Sequence, residues 1–117
     1  MSKEEILRKA PTLDPVHNAR LQDEVFNNNK LSGMVFDSVV FNSCTFKNTK
    51  INDCVFVNCK LSNVQLSNCD LTQTTFQGCI FRTVTLSESS LRNSTFSETE
   101  LAEVQFIDCQ WKECDVM

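Results

Sequence analysis

The sequence predicts an all-β solenoid, a chain that bends the same way at fixed intervals and stacks its turns into a rod. Three observations carry that expectation. From Leu21 onward every fifth residue is large and apolar, through Phe26, Leu31, Phe36 and so on to Trp111 and Val116, twenty positions without a break. All nine Phe and the only Trp lie on this series. Two residues before each sits a smaller one, such as Val39, Cys44, Thr49, Cys54, Cys59 and Val64, with a looser fit at Glu24, Asn29 and Met34. The other three positions of each block are mostly polar.

A period of five suits neither a helix nor a straight strand. On an α-helix, residues five apart stand about 140° out of phase and spiral around the surface. On one strand, an odd spacing sends successive apolar residues to opposite faces. Residues two apart on a short strand do share a face. The small residue and the large one can therefore both point inward if the chain bends once per block. The large side chains then stack inside, and backbone groups pair between successive turns.

The first residues lie off this pattern. Ser2 with Glu5 makes a capping box, and residues 4–10 are acceptable helix formers. A short helix is expected over about Lys3–Ala10, ended by Pro11 and followed by an irregular link through Leu13, Pro15 and His17. A solenoid end exposes apolar side chains and strand edges, so this segment is expected to act as a cap with Ile6 and Leu7 packing down. The repeat then runs to Val116. Gly33 and Gly78 are expected at corners that require positive φ. Two glycines are few for a chain that turns so often.

The five-residue blocks resemble those of the pentapeptide-repeat family, whose motif is often written A(D/N)LXX. The resemblance covers residues 19–117. It is carried by the central Leu or Phe, with Cys, Val, Thr and Ser standing at the Ala position. Val25, Val35, Val40, Lys50 and Ile80 stand where the motif has Asp or Asn. The resemblance implies a right-handed quadrilateral β-helix with four blocks per coil, hence about five coils and a rod of roughly 24 Å. It divides the chain into a cap, 1–18, and a β-helix, 19–117. The residues themselves leave the number of sides open: ladders such as Phe36, Phe56, Phe76 and Phe96 fit a spacing of twenty, but a spacing of fifteen agrees no worse.

Seven Cys in 117 residues raise metal and disulfide chemistry. All seven occupy the small inward position, where a metal site would place some off register and recruit His as well. They are read as core filling, with no metal, cofactor or disulfide expected. Cys59 and Cys79 stand one four-sided coil apart, but parallel side chains make a poor disulfide. Buried free thiols fit a reducing compartment, so a cytoplasmic location is expected. His17 is the only His, no glycine-rich phosphate loop is present, and the carboxylates are scattered. No catalytic residue is assigned. No segment reaches the ~20 apolar residues of a membrane span, and neither membrane nor direct nucleic-acid binding is expected from a chain of net charge −4.

Two features remain for function. With four sides, Val35, Val55 and Val57 fall on one face, and Val40 and Ile80 on the next, an apolar group on an otherwise polar coat. The expected role is a non-enzymatic protein-interaction or scaffold module presenting flat sheet faces. The alternative comes from the resemblance, because the family includes gyrase-protecting proteins that act as acidic rods resembling DNA. Residues 61–117 hold three Lys or Arg against eight Asp or Glu, which gives such a regulator of a topoisomerase, or of another DNA-binding protein, its charge. Phe106, Trp111 and Val116 in the final coil form a candidate end for an end-to-end homodimer.

Overall fold

The computed structural model covers residues 1–117 and forms a four-sided parallel solenoid of about five coils. The period that the residues left open is twenty. Val16 pairs with Phe36, Val35 with Val55, Val55 with Thr75 and Thr95 with Asp115, all in parallel. The molecule measures 31 × 23 × 21 Å.

The first face is a six-stranded sheet of Val16–His17, Val35–Asp37, Val55–Val57, Thr75–Gln77, Thr95–Ser97 and Asp115–Val116. The second face begins with Arg20–Gln22 and Val40–Asn42, and the third with Val25–Asn27 and Thr45–Lys47. From the third coil these two faces share continuous strands, Lys60–Ser67, Ile80–Ser87 and Glu100–Ile107. The fourth face carries only isolated bridges, from Lys30–Lys50 to Ser90–Gln110.

Inside, the large residues stack coil on coil. The rings of Phe36, Phe56, Phe76 and Phe96 lie 4.9, 4.8 and 5.0 Å apart and nearly parallel. Phe26 and Phe46 stack at 4.8 Å on another side. These spacings are those of neighbouring strands, so the side-chain stack and the backbone ladder reinforce each other.

The shortage of glycine is resolved at the corners. Every fifth residue from Leu13 to Glu113 has a positive φ, nineteen of them non-glycine, with Gly33 and Gly78 completing the series. An L-residue in that region costs roughly 1 kcal/mol or more. The cost is offset because corner amides donate to the next coil: Ser38 N to Val57 O at 2.9 Å, Asn58 N to Gln77 O at 2.8 Å, Glu88 N to Ile107 O at 2.9 Å. Asn, Asp and Ser tolerate the conformation best and occupy most of these positions, but Gln73, Thr83, Glu88, Glu98, Glu103 and Glu113 show that the fold imposes it on other residues too. Gly78 has a second reason to be glycine, since a Cβ there would stand 2.6 Å from Asn58 Oδ1.

The N-terminal helix spans Lys3–Lys9, with the Ser2–Glu5 capping box in place, and passes into a short 3-10 turn at Ala10–Thr12. Ile6 is fully buried, and Leu7 and Ala10 pack on the core. The link differs from the expectation of irregular chain. Val16–His17 is already a strand of the first face, and Val16 is buried, because it falls one block earlier on the same five-residue register. The looser fit of Glu24 also has a cause. Its carboxylate faces the cap and accepts the Lys3 N–H at 2.8 Å.

Candidate functional surface

The inward small row does more than fill space. Cys54 donates its thiol hydrogen to Leu31 O at 2.9 Å, Cys59 to Phe36 O at 3.2 Å, Cys69 to Phe46 O at 3.3 Å and Cys79 to Phe56 O at 3.3 Å. Thr49, Thr74 and Thr99 donate to Phe26 O, Ile51 O and Phe76 O in the same geometry. Each acceptor lies twenty-three residues back, the carbonyl of a large residue one coil below. The row is therefore a series of short donors, and the reading of Cys as a plain apolar filler is incomplete. The signal in the sequence is the free exchange of Cys with Thr and Ser at one position, since those three share a donor and little else.

Five cysteines are buried, while Cys109 and Cys114 are half-buried in the last coil. Burial pushes the Cys54 thiol up to about 12 from its ordinary 9.0, and raises Cys44 and Cys69 as well. These thiols are neutral and poorly nucleophilic at physiological pH. Nowhere do three His, Cys, Asp or Glu side chains gather as a metal-binding group. His17 lies on the exposed first face, 3.4 Å from Asp37, with no thiol partner.

The outward positions fall into rows along the rod. On the first face, one row reads Val35, Val55, Thr75, Thr95 and Asp115, and the other reads His17, Asp37, Val57, Gln77 and Ser97. Val35, Val55 and Val57 are thus brought together, with Val35 exposed and the other two half-buried. From Val55 to Ser97 this face carries no charge. Val40 and Ile80 fall on the second face, as expected for four sides, but Lys60 stands between them in the row Arg20, Val40, Lys60, Ile80, Glu100. They are not continuous with one another. The third face exposes Val25 and Ile107 at its opposite ends.

Five of the eight carboxylates in residues 61–117 sit at corners, while Asp70, Glu100 and Asp115 lie on faces. Glu88, Glu98, Glu103, Asp108 and Glu113 all sit at left-handed corners, so four carboxylates ring the last coil, one at each edge of the rod. Lys30, Lys47, Lys50, Lys60, Arg82, Arg92 and Lys112 all lie on faces. The carboxylates encircle the rod and line no single face. In that coil Phe106 and Trp111 meet edge to face at 4.2 Å. Trp111 is 38% exposed and Val116 65%.

No helix is long and apolar enough to cross a membrane. No curated protein matches the sequence. Among solved structures, the chain is similar to a trypsin-treated form of QnrB1, a plasmid-mediated fluoroquinolone resistance protein, at 13% identity over 86% of this chain and 69% of that one, with a TM-score of 0.47. It is also similar to the pentapeptide repeat protein Rfr23 from the cyanobacterium Cyanothece 51142, at 10% identity over 92% and 98%, TM-score 0.40. A third is HetL, a pentapeptide repeat protein involved in heterocyst differentiation regulation in a Nostoc cyanobacterium, at 16% identity over 81% and 47%, TM-score 0.37. The model of the pentapeptide repeat region matches residues 19–96 and 49–117. Together these two stretches take in the whole solenoid from the second face of its first coil, and the chain belongs to the pentapeptide-repeat family.

Proposed function

We propose that this chain is a cytoplasmic, non-enzymatic interaction module that holds a protein partner on its first face. The carrying observation is the uncharged stretch of that face from Val55 to Ser97, with Val55 and Val57 at one end next to Val35, and the hydroxyl and amide side chains of Thr75, Gln77, Thr95 and Ser97 beyond. Such a surface loses little hydration on contact and offers a flat, rigid sheet to a complementary one. Val40 and Ile80 contribute as separate contacts across the neighbouring corner. Regulation by resemblance to DNA is the weaker reading. It needs negative charge along one side, and here the carboxylates occupy all four edges of the last coil.

The test compares the native chain with a Val55→Lys, Val57→Lys double variant as bait. Both substitutions are on the outer surface, so the circular dichroism and melting of the variant should match the native protein. The expected result is a partner captured by the native chain at high salt and lost by the variant. A partner that is retained by the variant and released by moderate salt would favour the acidic reading.

The half-buried Phe106 and the exposed Trp111 and Val116 suit a two-fold joining of last coils. Light scattering should then give twice the chain mass for the native protein and the monomer mass for Trp111→Glu. A monomeric native protein at tens of micromolar rejects it.

A further inference from the structure

Among the four inward rows, one stacks two cysteines directly. It reads Ala19, Val39, Cys59, Cys79 and Thr99, and Ile80 N donates to Cys59 O at 2.9 Å, which sets Cys59 and Cys79 side by side on adjacent coils. Both are buried, at 2% and 1% exposure, and each donates its thiol hydrogen to a carbonyl one coil below, Cys59 to Phe36 O and Cys79 to Phe56 O. No other cysteine has a cysteine next to it in its row.

The spacing that spoils a disulfide here suits something else. Parallel side chains on neighbouring strands stand ~4.8 Å apart, wider than the ~3.8 Å between the Cβ atoms of a relaxed disulfide. Two metal–sulfur bonds of ~2.3 Å laid end to end span ~4.6 Å. A cation held linearly between the two sulfurs would therefore lie along the rod axis without moving either coil.

We propose that Cys59 and Cys79 form a buried two-coordinate site for a soft, thiophilic cation, with mercury(II) its best-matched member. The donor set decides the class. No third His, Cys, Asp or Glu is in reach, which leaves out the four-coordinate demand of zinc, and thiolates alone select soft ions. Charge decides the member. Binding releases one proton from each thiol, the two thiolates carry two negative charges, and a divalent ion makes the complex neutral in a core that penalises net charge. The thiol bonds to Phe36 O and Phe56 O are exchanged for two metal–sulfur bonds.

The test uses the full chain, reduced and free of oxygen, loaded with one equivalent of mercury(II) and then challenged with excess glutathione before desalting and metal analysis. Two thiols on one rigid frame should hold the ion about 100-fold or more tighter than one. The native chain and Cys54→Ser are expected to retain one equivalent, and Cys59→Ser and Cys79→Ser none. Serine keeps a donor in the row, as Ser89 and Ser94 do at the same position elsewhere. Loss of mercury from the native chain, its retention by Cys59→Ser, or its equal loss from Cys54→Ser would overturn the site. Should a serine variant fail to fold, the melting of the native chain decides: the loaded protein should melt higher, because the ion ties adjacent coils, and a lower melting temperature rejects the proposal.

Discussion

The first and last coils of the rod are spelled alike and behave differently. In each, every fifth residue is large and apolar, yet Leu21 and Phe26 are buried while Leu101, Trp111 and Val116 are exposed. Each of these coils has a neighbouring coil on one side only. The difference is the N-terminal helix, whose Ile6 closes the first coil and whose Lys3 amide is held by Glu24. The repeat thus dictates which way a side chain points, and a neighbour supplies the burial. Apolar periodicity alone is a statement about direction.

Phe26 and Phe106 stand at the two ends of one ladder, which makes them the sharpest probes of this contrast. Phe26→Ala should cost about 3–5 kcal/mol through lost burial and a cavity beneath the helix. Phe106→Ala should cost about 1 kcal/mol, since water already reaches that ring. Urea midpoints at unchanged slope read both, and equal losses would show that the last coil is sealed in solution.

The second probe removes the seal. Ile6→Ala should cost about 2–4 kcal/mol, and hydrogen exchange of the backbone amides at residues 20–27 should quicken while those at residues 60–87 stay protected. First-coil amides that exchange as slowly as before would mean that the helix rests on the rod without closing it.

Much of this was legible in advance. The twenty large positions gave the solenoid and its core, Ser2 and Glu5 gave the cap, and Gly33 and Gly78 gave two corners. The remaining corners were hidden, because Glu98 or Thr83 has no local preference for positive φ; the inter-coil hydrogen bonds impose it, and those exist only once the coils stack. The number of sides was hidden for a related reason. Phe and Leu substitute for each other inside, so the interior keeps a five-residue memory and only the backbone pairing reveals twenty. Val16 was missed although it lies on the register, because the prolines at 11 and 15 suggested irregular chain. On the surface, Val35, Val55 and Val57 were brought together by the four-sided register, whereas Lys60 divided Val40 from Ile80.

The four-sided, five-residue arrangement also separates what the interior and the exterior can tolerate as the chain changes length. Each coil closes a loop of the same size, so adding or losing twenty residues leaves the entropy of every later closure nearly unchanged and returns each row to its own side. Adding five residues instead would keep the interior intact, since a large residue still falls at every fifth position, but everything downstream would rotate by a quarter turn. Inserted after Val40, such a block would carry Val55 and Val57 off the side that holds Val35, dismantling the surface without touching the core. Stability therefore polices this chain in units of five, and recognition polices it in units of twenty.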